Sequence, residues 1–423
     1  MLIEFTVANF RSIKSAQTFS LVKGKGAELE AENSFEPETP GVPTLLRSAA
    51  IYGANAAGKS NFIKALRAMS KVVVESAAKL QPGEELPVTP FRLDSESEGL
   101  PTDFEVSFIA AGVRYQYGFS ATRERVLEEW LLAYPKGRPQ RWFGRTWDND
   151  EQTYAWELGP ELKGQKQLWQ ESTRSNALFL STAVQLNSEQ LAPVYEWFNR
   201  ILRTAQVGGW SIGFSASLCE ETGSRARVIE FLKAADLGID NVQVHKRKFD
   251  VGSLPEDMPE AIKQHLAKEL EGEELHDVRT LHRTPDGRTI PFKLEDESDG
   301  TQKLFAFAGP WLDTLKNGYV LFIDELHDNL HPKLVRFLVE LFHSPETNPK
   351  NAQLVFTTHE TSILSQEVFR RDQIWFCEKN DMLATELIPL SDFSPRKGRE
   401  NLEMSYLAGR YGALPFVRKL KTV

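Results

Sequence analysis

Cysteine is almost missing from this chain: there are two in 423 residues, Cys219 and Cys377. They lie far apart and in no metal or redox spacing, so neither a disulfide framework nor a cysteine-based metal site is expected, and the pair fits a reducing cytoplasm. No run of about eighteen apolar residues occurs, so no membrane span is expected. The opening MLIEFTVANF alternates like a strand and lacks the cationic start and apolar stretch of a signal peptide. Positive charge is not in excess either. A formal charge of −9 argues against a protein whose whole surface coats nucleic acid, while leaving room for a local basic groove. Internal repeats and low-complexity tracts are absent. What remains, 41% hydrophobic and 26% charged, is an ordinary globular composition on a chain long enough for two or three substructures.

Hydrophobic periodicity divides the chain into three parts. Residues 1–165 form an N-terminal lobe. Leu2, Ile3, Phe5 and Val7 alternate, then Phe19 and Leu21, and an apolar run at 46–52 leads into a glycine-rich loop. A helical pattern follows at Phe62, Ile63, Leu66 and Met69. From about 87 to 160 the period is two, with turn signals at Pro135-Lys136-Gly137 and Asp148-Asn149-Asp150, which predicts an antiparallel sheet. Residues 166–278 read as a mainly helical insertion, with helices at Glu189–Thr204 (capped by Ser188), Arg225–Ala235 and Met258–Leu270. Residues 279–423 return to alternating strands and helices, the pattern of a parallel sheet.

The loop Gly53-Ala54-Asn55-Ala56-Ala57-Gly58-Lys59-Ser60 matches GxxxxGK[ST] in full, between an apolar strand and an amphipathic helix. Backbone N–H groups must curl around phosphates there, which bulky residues hinder. Lys59 would then reach the β- and γ-phosphates, Ser60 would ligate Mg²⁺, and the helix N-terminus adds positive potential. Gly53, Asn55, Ala56, Ala57, Gly58, Lys59, Ser60 and the adjoining Asn61 are the candidate ATP-binding residues. The bland alternative is a glycine turn between strand and helix, which would not require Lys-Ser after Gly58.

Tyr319-Val320-Leu321-Phe322-Ile323 suits a strand buried on both faces and ends in Asp324-Glu325. Carboxylates at the carboxyl end of a central strand sit where open α/β sheets bind ligands. Asp324 is the candidate Mg²⁺ residue and Glu325 the candidate catalytic base. His327 and His331 stand at i and i+4, but a zinc-protease helix needs Glu directly after the first histidine. Asp328 is there instead, and Pro332 reads as the first residue of the next helix. Zinc is therefore not expected.

Further motifs narrow the class through resemblance. Glu297-Ser298-Asp299-Gly300-Thr301-Gln302, opening an apolar helix before the acidic strand, resembles the signature motif of ABC-class ATPases in the RecF, SMC and OLD branch. The chain is most similar to stand-alone prokaryotic ATPases of that branch. Asp328-Asn329-Leu330-His331-Pro332 resembles its D-loop, with His331 where relatives often have Asp. Thr357-Thr358-His359 resembles its switch histidine, and Asn9-Phe10-Arg11-Ser12 the opening of SMC-like heads.

The resemblance implies an α/β P-loop head of mixed sheet with an antiparallel β subdomain and a helical insertion. It implies ATP and Mg²⁺ as cofactors, Lys59, Glu325 and His359 as catalytic residues, and Ser298 and Gly300 acting on nucleotide held by another subunit. Arg11 is a phosphate contact by the same token, and Gln116 stands in for the metal-contacting glutamine. A homodimer or higher homo-oligomer follows, with a separate nuclease- or toxin-like effector protein in phage defence, since the tail after His359 shows no acidic cluster of nuclease type. The alternative is a repair ATPase gripping nucleic acid through Lys136, Arg138, Arg141 and Arg145 interleaved with Trp142 and Phe143, or through Lys246-Arg247-Lys248. A dead, purely structural module is disfavoured because the lysine, both acids and the histidine are all present.

Overall fold

The computed structural model describes residues 1–205, 210–248, 259–260, 262–264, 274–396, 398 and 400–415. Backbone packing groups them into two units: Met1–Val207 with Leu315–Asp328 and Val335–Val423, and Gly208–Thr314 with Asn329–Leu334. No helix among the described residues is long and apolar enough to cross a membrane.

The first unit holds two large sheets besides a two-stranded pairing of Ser34–Phe35 with Leu45–Leu46. One runs, in spatial order, Leu202–Ala205, Val320–Ile323, Gln353–Thr357, Ser48–Tyr52, Ile374–Lys379 and Thr385–Pro389. Every pair is parallel except the last. Its three middle strands are buried at every residue, which is why their sequences are continuous runs rather than alternations. The other is a seven-stranded antiparallel sheet in the order Thr153–Leu158, Gln140–Asp148, Val126–Tyr134, Val113–Ala121, Thr102–Ala110, Leu2–Ala8 and Gln17–Ser20. The expected α/β fold of mixed sheet with an antiparallel β subdomain is therefore present.

Helix Lys59–Glu75 joins the two sheets. It buries Phe62, Ile63, Leu66 and Met69, the stripe read from the sequence, together with Val72 and Val73. The Phe62 ring meets Phe5 at 5.4 Å and Phe19 at 5.6 Å, and Phe19 in turn meets Phe322 at 6.4 Å and Trp375 at 5.1 Å. Fixed aromatic pairs of this kind add directional packing to the area they bury.

The expected helix Glu189–Thr204 is shorter. Ser188 Oγ accepts from Leu191 N at 3.4 Å, helix Ala192–Glu196 and a π-turn at Trp197–Ile201 follow, and Leu202–Ala205 is a strand beside Val320–Ile323. Ladder bonding to a central strand outweighs the weak helical preference of that segment. Glu129 is wholly buried and gathers the region around it. It accepts from Tyr117 OH at 3.0 Å and from Phe179 N and Leu180 N at 2.6 and 3.0 Å, at the start of helix Phe179–Gln185, and pairs with Arg145 at 3.0 Å.

In the second unit, helices Gly213–Leu218 and Thr222–Ala234 precede an antiparallel sheet of Ile239–Lys248, Glu274–Arg283 and Thr289–Lys293. Strand Ile239–Lys248 replaces helix-like expectation in part of the insertion. Its alternation is masked by the charged run at Lys246 and by a register shift between Ile239 and Asn241. The expected helix Met258–Leu270 falls mostly outside the described residues.

At the foot of strand Ser48–Tyr52 sits a buried polar knot. Gln373 Nε2 donates to Ser48 Oγ at 2.9 Å, and the same hydroxyl is hydrogen-bonded to His343 Nε2 at 2.7 Å. Burial, with the nearby Arg47 charge, lowers the His343 pKa from 6.5 to about 3 and so favours the neutral ring. Because the folded value lies below the unfolded one, the unfolded chain binds the extra proton below about pH 6.5 and stability falls as pH drops towards 3. This residue alone can contribute up to about 1.4 kcal/mol per pH unit. Urea midpoints measured from pH 7 to 4.5 are expected to fall less steeply for His343→Asn than for the wild type. Parallel slopes would show that the imidazole does not titrate in this way.

Candidate functional site

Four strand ends and one loop of the first unit meet at a cleft of about 470 Å³ lined by Ser12, Asn55, Ala56, Gly58, Lys59, Ser60, Asn61, Glu325, His359 and Lys379. The loop 53–60 cannot relax backwards. A Cβ at Gly53 would strike the Cys377 carbonyl, and one at Gly58, whose φ is +115°, would strike the Thr385 hydroxyl. Only glycine tolerates that approach and that backbone conformation together. Ala56 is also left-handed, with φ 62°.

Lys59 is buried, with its ammonium donating to Gly53 O at 2.7 Å and Ala54 O at 3.1 Å and lying 3.2 Å from His359 Nε2. An ammonium has three donors and no acceptor, so Nε2 must accept, and His359 is the neutral tautomer with its proton on Nδ1. Burial, then the Lys59 charge, lower the His359 pKa to about 4; a hydrogen bond with the Gly53 backbone works against them. Lys59 is itself shifted down, chiefly by burial, with the charges of Glu325 and Asp324 opposing.

The acidic strand end is held from the neighbouring strand. Thr357 Oγ1 donates to Asp324 Oδ1 at 2.7 Å and accepts from Glu325 N at 2.8 Å, so one hydroxyl sets both residues. Glu325 has φ 54°, a left-handed conformation that costs a non-glycine residue about 1–3 kcal/mol and survives only where its surroundings enforce it. Its Oε1 lies 3.9 Å from His359 Nε2.

Behind the loop a directional relay runs between three distant segments. Thr385 Oγ1 donates to Ala57 O at 2.8 Å, which leaves Ser12 Oγ to donate to Thr385 Oγ1 at 2.8 Å and to accept from Asn61 Nδ2 at 2.8 Å. Ser12, Thr357, Lys379 and Thr385 were not singled out from the sequence. Ser12 stood inside the quoted Asn-Phe-Arg-Ser motif and Thr357 inside Thr-Thr-His, whereas Lys379 and Thr385 carry no local signal.

Two predicted contacts are not brought to this cleft. Arg11 is exposed with φ 51°, and its guanidinium lies 5.7 Å from the Phe10 ring. Gln116 is fixed within the antiparallel sheet, donating to Glu105 at 2.6 Å and accepting from Tyr134 OH at 3.0 Å. Both ends of its amide are thus occupied by sheet neighbours, which removes the reason to give it a metal. The candidate nucleic-acid segment is also altered by its surroundings. Trp142 and Phe143 are core residues, Arg145 is buried on Glu129, and Arg141 pairs with Glu157 at 3.0 Å. Lys246 pairs with Glu220 at 3.1 Å.

In the second unit, Ser298 Oγ accepts from Thr301 N at 3.3 Å, capping the 19-residue helix Asp299–Asn317. A Cβ on Gly300 would come within 3.2 Å of Asn329 O, so the helix start at 298–300 lies against the segment that begins at Asn329. Glu297 is held by Thr280 Oγ1 and, at 2.7 Å, by His282 Nε2. His331 Nδ1 accepts from Lys333 N at 3.2 Å at the start of helix Pro332–His343.

The donor set fits a magnesium nucleotide: a caged lysine, a loop closed from behind by carbonyl and hydroxyl neighbours, Ser60 on the cleft wall and Asp324 beside it. If the Thr385 relay holds the loop in shape, Thr385→Val, which removes both hydrogen bonds of its hydroxyl, should weaken ATP binding about fivefold to tenfold, while the thermal midpoint moves by only a few degrees. Isothermal titration would check this, and unchanged affinity would show that the relay is dispensable.

The loop, the acidic strand end and the histidine-bearing strand thus come together at one end of a mostly parallel sheet that accompanies an antiparallel one. Among solved structures, the SMC head domain from Thermotoga maritima aligns with a TM-score of 0.41 at 13% identity, over 92% of this chain and 98% of that one. An SMC head bound to the C-terminal winged-helix domain of ScpA gives 0.40 at 11%, over 92% and 96%. The ATP form of the recombination mediator RecF gives 0.34 at 13%, over 89% and 96%. No curated protein matches the chain. Residues 48–365, from the strand before the phosphate loop to just past His359, match the family described as AAA domain, putative AbiEii toxin, type IV toxin–antitoxin system, and the chain belongs to that family.

Proposed function

We propose that this protein is a Mg²⁺-dependent ATPase that works as a dimerising, nucleotide-driven switch. The observation that carries the reading is the meeting of Lys59, Glu325 and His359 in one cleft, with Lys59 and His359 only 3.2 Å apart across 300 residues of chain. Lys59 and the loop amides would hold the ATP phosphates. Ser60 and Asp324 would hold Mg²⁺, which when bound neutralises phosphate charge. Glu325, placed by Thr357, would orient and deprotonate the attacking water. Neutral His359 would offer a polar contact at the γ-phosphate without adding a second positive charge. The capped helix bearing Ser298 and Gly300 would complete the site of a second copy, so closure requires at least a homodimer.

The biological setting we infer is a cytoplasmic prokaryotic defence system in which this ATPase controls a separate effector, nuclease- or toxin-like. The family description, which names a putative toxin of a toxin–antitoxin system, supports a defence setting. A repair ATPase gripping nucleic acid through the 136–145 segment is less well supported, because its aromatic residues are in the core.

Glu325→Gln should slow turnover about a hundredfold or more while leaving ATP affinity intact, and should stabilise an ATP-dependent dimer seen by light scattering. Undiminished turnover would end the catalytic assignment. An affinity pull-down comparing this variant plus ATP with Lys59→Ala, with and without nuclease, should enrich an effector protein only in the trapped state. Nucleic acid enriched without protein would favour the repair reading instead.

A further inference from the structure

Helix Asp299–Asn317 contains a proline at position 310. Proline has no N–H, so the carbonyl four residues earlier, Ala306 O, lacks its ordinary helical donor. The helix is buried here: Phe305, Phe307, Ala308 and Trp311 are all within 1% of complete burial. Water therefore does not supply the missing bond, and an orphaned carbonyl in such a place carries the full cost of desolvation.

A side chain from another helix supplies it. Ser215, itself fully buried in helix Gly213–Leu218, donates its hydroxyl to Ala306 O at 3.1 Å and accepts from Gly309 N at 2.9 Å. One hydroxyl is thus spliced into the backbone of the helix, as donor on one side of the proline break and acceptor on the other. The fit requires glycine at 309, because a Cβ there would lie 2.9 Å from Ser215 Oγ and 3.0 Å from its Cα and N. A proline, a glycine and a distant serine therefore form one device: the first creates the gap, the second admits the neighbour and the third fills the gap.

The device sits between the helix N-terminus, where Ser298 and Gly300 stand, and the part of the chain inserted after the first lobe. Resting on the ATPase-switch reading above, we propose that Ser215 is a positioning residue for the signature: it sets the pose of the helix segment 299–309 and so couples the insertion to hydrolysis by the partner copy. Helix Gly213–Leu218 ends at Cys219, and a short turn leads into helix Thr222–Ala234, so a ligand or protein that displaces these helices acts directly on the splice. Ser215 touches neither nucleotide nor water in this account; it acts through Ser298 and Gly300.

The test uses the full-length protein and three variants: Ser215→Ala, Pro310→Ala and the double substitution. Ser215→Ala should leave ATP affinity unchanged, since the phosphate loop belongs to the other unit, while turnover and ATP-dependent dimerisation fall about tenfold. Hydrogen–deuterium exchange of amides 302–309 should rise by a similar factor, with the amides of 59–75 unaffected. Alanine at 310 restores an N–H able to reach Ala306 O, so adding Pro310→Ala to Ser215→Ala should recover most of the protection and turnover. Unchanged exchange and turnover in Ser215→Ala would overturn the proposal. So would a loss of equal size with alanine at 310, because the serine would then be acting by packing alone. Should the wild type show no ATP-dependent dimer, the switch reading fails on its own account, and the exchange data still decide whether Ser215 bridges the proline break.

Discussion

An ammonium group buried among carbonyls has to find three acceptors, and the Lys59 ammonium sits among Gly53 O, Ala54 O and His359 Nε2. Much of the site follows from that requirement. The two carbonyls fix the curl of the loop, whose glycines are pressed against Cys377 and Thr385 and so cannot yield. The third acceptor must come from elsewhere, and it comes from the end of strand Gln353–Thr357, which the sheet order places directly beside Ser48–Tyr52. The same strand carries Thr357, whose hydroxyl positions the Asp324 carboxylate and the Glu325 backbone. Strand order therefore does chemical work: it brings a cation, a neutral imidazole and two carboxylates to one end of a buried sheet.

How much of this was legible in the sequence depended on distance along the chain. The phosphate loop, the acidic strand end and the histidine at 359 were readable because each is a short run whose spacing is dictated by one local geometry: strand, turn and helix for Lys59, and a continuous apolar strand for Asp324 and Glu325. The antiparallel sheet was readable for the same reason, from period-two alternation over nine-residue strands. Thr385 and Ser12 were not. Their hydroxyls matter only because residues 373 apart meet behind the loop, and no local pattern distinguishes such a threonine from any other on a strand.

The readings that moved are equally physical. Arg11 drew attention because Asn9-Phe10-Arg11-Ser12 resembles the opening of SMC-like heads, yet the backbone turns at Asn9 and Arg11, with φ 49° and 51°, and it is the following Ser12 that lines the cleft. Gln116 sits in a strand whose neighbours present Glu105 and Tyr134, groups that saturate an amide. The basic run at 136–145 leads into strand Gln140–Asp148, where residues 142–145 are all buried and a register shift falls at Trp142. Its aromatic residues at 142 and 143 are in the core, and the guanidinium of Arg145 is drawn inward by Glu129, a carboxylate that would otherwise be buried without a cation.

His359 shows how two depressions of one pKa can be separated. Burial is the larger cause and the Lys59 charge the next. Phosphate oxygens placed near Lys59 would oppose its charge and so remove part of the second cause, but they would not return the ring to water and would leave the first in force. Phosphate oxygens near the ring would also favour the imidazolium directly, so neutrality belongs to the cleft as it stands, where burial and Lys59 act together. Two causes of one shift thus respond differently to a ligand: the charge of Lys59 can be offset, whereas burial of the ring, 3.9 Å from Glu325 Oε1, persists for as long as the cleft stays closed around it.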